Sequence, residues 1–236
     1  QEPTAKVITI NLSSQQRYVD KLSQQYPVIS LDPCTNANYK VSISRYFDMA
    51  DGQIKNRTMI SRPGAADVNY QISNIPQGSY YLVDDDIFTG NTINSLISQL
   101  PPTIKVIDKI SLLHHSLKTR NISPTALYEV LDLRDLVVGS SDSGLVSSLP
   151  NGNLCRLPYI LPYVSPGSRS SIPHQESYNF SLRVWRLNYK FFKSLDYPIM
   201  LRHTDINFQK LMNYIGFKSS AYMANICLWH INQLKK

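Results

Sequence analysis

A short apolar strand that ends in three aspartates is the feature that most limits what this chain can fold into. Residues 80–83 (Tyr-Tyr-Leu-Val) are apolar at every position, which is typical of a strand buried on both faces of a parallel sheet. Asp84, Asp85 and Asp86 follow at once, and then come a turn of small residues and a helical pattern over residues 92–100. A strand of this kind needs helices on both sides of its sheet, so the pattern favours an α/β fold.

The remainder of the first 150 residues repeats this alternation of strands and helices. The polar stretch at residues 47–70 carries turn signals at Asp51-Gly52 and Pro63-Gly64 and is predicted to be an exposed, mobile loop. Strands alternating with helices predict a mostly parallel sheet flanked by helices. Further strands are predicted at residues 6–10, 28–31, 39–46, 104–107 and 136–138, and further helices at residues 13–25 and 124–131.

The character of the sequence changes after Gly139. Serine, glycine and proline crowd residues 140–173, which predicts a long irregular connection. Three helices should follow: one at residues 176–195, one capped by Thr204 and stopped at Gly216, and one starting at Ser219 or Ser220. We therefore expect an α/β domain at residues 1–150 and a basic loop with a C-terminal helical subdomain at residues 151–236.

Positive charge is concentrated at the end of the chain. The 236 residues carry a net charge of +7, yet the first 150 hold 13 basic against 14 acidic residues and the last 86 hold 11 against 3. Clustered cations attract phosphates, so DNA or RNA is an expected partner. Helical spacing places four cations on one face of the predicted helix, although a solvated helix face is the ordinary alternative. These four are Arg183, Arg186, Lys190 and Lys193.

Several classes of protein are excluded by what the sequence lacks. No run of about 18 apolar residues exists, so no membrane is expected as a partner. Cys34, Cys155 and Cys227 are far apart and never form a CxxC pair, which indicates neither a disulfide framework nor a zinc site. These cysteines, together with the lack of a basic-then-apolar leader, predict a reducing cytoplasmic location.

The small-residue turn after the aspartates is the candidate ligand site. Ligands of open parallel sheets bind beyond the carboxyl ends of the strands, where residues 89–92 (Thr-Gly-Asn-Thr) would lie. The backbone N–H groups and the hydroxyls of Thr89 and Thr92 suit a phosphate. Two carboxylates beside that phosphate would hold the vicinal hydroxyls of a sugar.

This segment resembles the signature of the type I phosphoribosyltransferases, in which an apolar strand, two acidic residues and a TG.T turn bind phosphoribosyl pyrophosphate. The resemblance implies that Asp84 and Asp85 act on the ribose hydroxyls and ligate Mg²⁺, with Asp86 also contacting substrate. It implies that the 5-phosphate is held by Thr89, Gly90, Asn91 and Thr92. It further implies a transferase that releases pyrophosphate, and a second copy of the chain as a partner.

The sequence departs from the family pattern at several places. Asp86 replaces a usual apolar residue, and Phe88 stands where the purine-salvage branch has an aspartate that acts on the base. Residues 11–14, with Ser13, would take the place of the pyrophosphate loop but lack its usual glycines. Arg45, before the polar loop, is similar in position to the substrate-closing loop of that branch, and Asp142 to an acidic residue near the pyrophosphate.

Other phosphate-handling motifs require a different spacing of residues. Haloacid-dehalogenase-type phosphatases place a DxD pair after the strand, here Asp84 and Asp86, and need threonine two residues after its second aspartate, where Phe88 stands. A Walker phosphate loop needs GxxxxGK[ST], which is absent. A merely structural turn stays open. So does a different class of function: a non-catalytic module that senses phosphoribosyl pyrophosphate or a nucleotide and binds nucleic acid through its basic C-terminal part.

Overall fold

The computed structural model describes residues 8–50, 53–87, 90–121, 133–168 and 172–235, which pack as two compact units. Unit 1 comprises Gln1–Ser44 and Met59–Tyr128, and unit 2 comprises Arg45–Thr58 and Glu129–Lys236. No helix among the described residues is long and apolar enough to cross a lipid bilayer.

In chain order the elements are α1 (Leu12–Ser23), β1 (Val28–Ser30), β2 (Tyr39–Lys40), β3 (Ile43–Ala50), β4 (Gln53–Ser61), α2 (Val68–Ser73), β5 (Gly78–Asp84), α3 (Asn91–Ile97), β6 (Ile104–Ser111), α4 (Leu112–Lys118), α5 (Leu133–Leu136), β7 (Leu145–Ser148), β8 (Leu154–Leu157), α6 (Ser177–Ser194), α7 (Ile206–Tyr214) and α8 (Met223–Leu234).

A four-stranded sheet in the order β2-β1-β5-β6 forms the centre of unit 1, and all its pairings are parallel. Its interior strands alternate between two cores, as period 2 requires. Leu82 packs in one core with Ile29 and with α2 and α3, whereas Val83 packs in the other with Val28 and with α1 and α4. The prediction of an α/β fold with a parallel sheet covered on both faces is therefore confirmed for unit 1.

The starts of two helices in unit 1 are set by the residues just before them. Asn11 caps α1, which begins one residue before the predicted start at residue 13: the Asn11 side chain accepts a hydrogen bond from the Ser13 backbone N–H at 2.8 Å. β6 runs directly into α4, which contains His114 and His115. The His115 ring stacks on Tyr18 at a centroid distance of 3.3 Å, and burial lowers its pKa.

The predicted strands and loop between residues 6 and 70 need three corrections. Residues 8–10 are not in a strand, and the rest of the predicted strand at 6–10 lies outside the described residues. The predicted strand at residues 39–46 is two strands, β2 and β3, which belong to different sheets. The predicted loop at residues 47–70 is wrong, because β3, β4 and α2 occupy much of it; Phe47 is buried and its carbonyl accepts the Ser147 hydroxyl at 2.8 Å.

Unit 2 contains a mixed sheet in the order β4-β3-β7-β8. β7 is parallel to β3 and antiparallel to β8, so the irregular connection predicted at residues 140–173 is wrong; a hairpin turning at Asn151-Gly152 lies within it. The strand predicted at 136–138 is also wrong, because α5 ends there and the Val138 N–H donates to Asn188 Oδ1 at 2.9 Å. The helix predicted at 124–131 lies outside the described residues. Glu129–Lys236 and Arg45–Thr58 together form unit 2, and the boundary at residue 150 stays a prediction.

The C-terminal helices form the main core of unit 2. Trp185 of α6 is fully buried and donates its indole N–H to the Leu161 carbonyl at 2.8 Å. The His230 ring of α8 stacks on this indole with 4.1 Å between ring centroids. Its Nε2 is hydrogen-bonded to the Tyr163 hydroxyl at 2.6 Å. Burial lowers the pKa of His230 to about 4, so the ring is neutral at physiological pH.

The C-terminal helices agree closely with their predicted positions, with small shifts at their starts. Asp205, rather than Thr204, caps α7, because its carboxylate accepts the N–H groups of Asn207 and Phe208. Gly216 follows α7 with φ +102°, the left-handed conformation predicted for that stop. α8 begins at Met223, a few residues after the predicted Ser219 or Ser220.

Candidate functional site

The carboxyl end of β5 lies between those of β1 and β6, in the interior of the unit 1 sheet. From β1 the chain continues to β2 on one side, and later forms β5 and β6 on the other side. The gap between β1 and β5 is therefore the topological switch point, where open α/β sheets bind ligands. Asp84 is the last residue of β5, and Asp32 lies two residues beyond the end of β1. The carboxyl ends of β1 and β5 thus bring acidic residues to this point.

Asp84 and Asp85 are adjacent carboxyl groups that interact through charge and hydrogen bonding. The Asp85 backbone N–H donates to Asp84 Oδ1 at 3.0 Å, and the Asp86 N–H donates to Asp85 Oδ1 at 2.7 Å. Burial holds the pKa of Asp84 well above its usual range, and the neighbouring charge of Asp85, a side-chain hydrogen bond with it, and the charge of Asp32 raise it further. A cation or a hydroxyl-bearing ligand placed here would relieve that repulsion.

Asp32 is a candidate site residue that the sequence interpretation missed. Its side chain is 3% exposed, and one carboxylate oxygen accepts the Cys34 N–H at 3.0 Å. The other, Oδ2, is buried without a hydrogen-bond partner among the described residues. A buried carboxylate oxygen without a partner costs free energy unless a ligand pairs with it. The only available signal was the position of Asp32 just after a predicted strand.

The loop that follows β1 is a compact polar segment at the same edge of the sheet. The hydroxyl of Thr35 in this loop lies 2.9 Å from that of Ser30 at the end of β1. Gln16 of α1 fastens this loop, because its amide nitrogen donates to the Asn36 carbonyl at 2.9 Å and its amide oxygen accepts the Asn36 N–H at 2.7 Å. Ser13 lies one turn before Gln16, where its hydroxyl donates to Asn11 Oδ1 at 2.7 Å. Residues 11–14 therefore begin a helix, and residues 31–38 follow the first strand of the sheet.

The predicted phosphate turn is only partly described, since Thr89 lies outside the described residues. Gly90 adopts the left-handed conformation with φ +71°, and Asn91 and Thr92 form the first turn of α3. Lys109 on β6 was missed by the sequence interpretation: its ammonium donates to Asn94 Oδ1 at 2.9 Å. A Cβ on Gly90 would stand 3.3 Å from the same Asn94 amide, so a cation lies close to the turn.

The edge of the sheet thus carries the acidic residues Asp32, Asp84 and Asp85, with the ammonium of Lys109 beside Asn94 of α3. Comparison with protein-family models, curated proteins and solved structures finds no match to this chain. No group of three or more His, Cys, Asp or Glu side chains among the described residues is placed to hold a metal ion. A cation here would therefore need ligands from the bound molecule or from water.

Other predicted site residues belong to unit 2. Arg45 lies exposed on β3. Asp142 is part of an ion pair, because it accepts a hydrogen bond at 2.8 Å from Arg156, whose side chain is 3% exposed and also lies 3.9 Å from Asp205. All four cations of the predicted basic stripe, Arg183, Arg186, Lys190 and Lys193, are exposed on α6, as their helical spacing predicts.

Proposed function

We propose that unit 1 binds phosphoribosyl pyrophosphate and transfers its 5-phosphoribosyl group to a nitrogenous acceptor with release of pyrophosphate, as the type I phosphoribosyltransferases do. One observation carries the proposal: Asp84 ends an interior parallel strand at the switch point of the sheet, Asp85 follows it, and the left-handed Gly90 then precedes the first turn of α3. The strand order β2-β1-β5-β6 supports the same fold.

The ribose and the 5-phosphate of the ligand have matching groups in the site. The carboxyl groups of Asp84 and Asp85 accept hydrogen bonds from the ribose 2- and 3-hydroxyls, and hydrogen bonds to charged groups are the strong ones. The turn at residues 89–92 holds the 5-phosphate, with Lys109 adding positive charge beside it. Residues 31–38 face the pyrophosphate, since they follow the neighbouring strand β1.

The proposed reaction breaks the bond between ribose C1 and the pyrophosphate oxygen. The bonding electrons leave with pyrophosphate, the acceptor nitrogen forms a new bond to C1, and the acceptor's proton passes to water. Positive charge builds on the sugar ring as the bond breaks, as it does in glycoside hydrolysis. Fixed carboxylates at Asp84 and Asp85 stabilise that charge without having to reorganise.

Magnesium fits the donor set that this site offers. Mg²⁺ usually takes one or two carboxylates, several waters and substrate phosphates, and Asp84 with Asp85 supply such a pair. The unpartnered oxygen of Asp32 adds negative charge at the same edge. When bound, the ion would stabilise the charge of the leaving diphosphate.

A second candidate function is a non-catalytic sensor of the same ligand. It is favoured by the loop after β1, because residues 31–38 contain no glycine and carry the buried Asp32, so this loop offers little to stabilise the charge of a departing pyrophosphate. Such a sensor would bind the sugar phosphate through the same carboxylates and turn.

Pyrophosphate release separates the two candidates. The full chain is incubated with Mg²⁺, phosphoribosyl pyrophosphate and a mixture of nucleobases, and we expect acceptor-dependent release above that of the ligand alone. The Asp84→Asn, Asp85→Asn double variant should lose at least about 100-fold in rate, since two charge-assisted contacts are removed. Tight binding of the ligand without any release would contradict catalysis and favour the sensor.

A further inference from the structure

The exposed face of α6 has an unusual composition for a helix in a folded unit. One side of α6 is buried through Val184, Trp185 and Phe192 in the core of unit 2. The opposite side carries the basic stripe, defined as Arg183, Arg186, Lys190 and Lys193, all exposed. At 3.6 residues per turn these four lie within an arc of about 80° and span about 15 Å along the axis.

These cations lack the acidic partners that a protein surface normally provides. The side chains of Arg183, Arg186 and Lys190 form no hydrogen bond or ion pair with any other described residue, and Lys193 lies 5.5 Å from the centre of the Tyr189 ring. A mixture of both signs is the ordinary solution for a surface, and like charges on one helix face repel. A polyanion along α6 would remove that repulsion.

Apolar side chains flank the basic stripe on one side. Leu187 is 65% exposed and Phe191 46% exposed, and both lie next to the cations on the helix surface. Just beyond α6, Tyr197 is 82% exposed. Aromatic rings beside a line of cations are the combination that binds unpaired bases, because the rings stack on base faces while the cations follow the phosphates.

The C-terminal end of the stripe opens into a small hollow beside α8. Its volume is about 200 Å³, below the roughly 300–1,000 Å³ of pockets for larger ligands, so a single flat ring suits it better than a whole nucleotide. Tyr222, 44% exposed, forms one wall. The hollow is lined by Phe192, Lys193, Leu195, Pro198, Ile199 and Tyr222.

We propose that α6 binds single-stranded nucleic acid, with the phosphates along the basic stripe, one base on Phe191 and another in the hollow near Lys193. The cations occupy the middle of the exposed face and apolar residues only one flank, whereas a helix that lies on a membrane buries a broad apolar face. Exposed rings favour a single strand over a duplex, whose bases are already stacked. The proposal concerns unit 2 and stands whether or not unit 1 transfers a phosphoribosyl group.

The test is fluorescence anisotropy of the full chain with a labelled single-stranded 20-mer of mixed sequence, starting at about 50 mM salt. We expect the logarithm of the binding constant to fall linearly with the logarithm of the salt concentration, with a slope of about −0.7 for each phosphate contacted. Changing all four stripe residues to glutamine should lower affinity at least about tenfold and flatten the slope by up to about 3. Phe191→Leu should weaken binding severalfold and leave the slope unchanged, because it removes a ring and no charge.

A charge-matched control distinguishes the stripe from the overall charge of the protein. Four exposed cations of unit 1, Lys21, Lys105, Lys118 and Arg120, are changed to glutamine, and we expect affinity to fall less than threefold. Equal losses in the two quadruple variants, both folded by circular dichroism, would overturn the proposal. So would an absence of binding at about 50 mM salt, tighter binding of the matching duplex, or binding of anionic lipid vesicles without binding of the oligonucleotide.

Discussion

At the scale of single residues, the site places acidic groups where they are costly for the fold. Asp84 and Asp85 share a hydrogen bond and repel each other, and Asp32 adds a third negative charge with a buried, unpartnered oxygen. Groups whose pKa is strongly raised by burial and by like charges concentrate at functional sites. The cost is understandable if a ligand or cation neutralises the cluster when it binds.

The raised pKa of Asp84 predicts a pH-dependent gain in stability when its charge is removed. Because the folded state holds the Asp84 proton more tightly than the unfolded state does, this group favours folding at low pH, and that contribution is lost as pH rises through the raised pKa. Asp84→Asn keeps the neutral form at every pH. We expect its Tm to exceed that of the wild type at pH 7.5 and the difference to shrink toward zero below about pH 4.

Asp108→Asn is the matched control for this stability measurement. Asp108 is exposed on the adjacent strand β6, and asparagine can keep its hydrogen bond to the Lys109 N–H. An exposed substitution of this kind usually changes stability by less than about 0.5 kcal/mol. A lower Tm for Asp84→Asn at pH 7.5 would mean that the Asp84 carboxylate stabilises the fold, contrary to our account.

At the scale of elements, a close approach between two backbone segments restricts which residues can stand at the start of the β7–β8 hairpin. Gly144 precedes β7 with φ +84°, and a Cβ there would stand 2.6 Å from the Leu157 carbonyl oxygen. Gly152, in the turn of the same hairpin, has φ +80° but no atom within 4 Å of its Cβ position. The two glycines share the left-handed conformation, which would strain any other residue, and they differ in the space around them.

This difference gives a prediction for two alanine substitutions. Gly152→Ala should cost about 1 kcal/mol of unfolding free energy, for the left-handed conformation alone. Gly144→Ala should cost about 3 kcal/mol, because the clash with backbone adds to the conformational cost. Urea denaturation of both variants measures the difference, and equal losses at the two positions would show that the approach of Leu157 does not constrain the hairpin.

The elements that could be predicted from sequence are those with a strong local pattern. β5 and α6 are long and regular, and a simple reading of apolar residues locates both. The part of β3 after Tyr46 and the whole of β7 could not be found in this way. Polar residues such as Asp48 and Ser147 interrupt their patterns, and their stability depends on pairing between residues about 100 positions apart. Pairing between residues so far apart in the chain produces no pattern in the local sequence.

At the scale of the whole molecule, local sequence patterns indicate the class of fold, whereas contacts between distant segments decide the division into units. The path of the chain through β3 and β4 joins residues 45–58 to the C-terminal half, which composition does not reveal. The candidate site shows the same contrast. Asp84 and Asp85 were found because they adjoin a strong strand, whereas Asp32 and Lys109 approach the site through sheet pairing.

Calorimetric titration of the full chain with phosphoribosyl pyrophosphate and Mg²⁺ tests the central claim most directly. We expect saturable binding by the wild-type protein and by the Asp108→Asn control, and affinity about 100-fold weaker in the folded Asp84→Asn, Asp85→Asn variant, since two charge-assisted contacts are lost. Unchanged affinity in that double variant, or no binding by the wild-type protein, would contradict the assignment of this site.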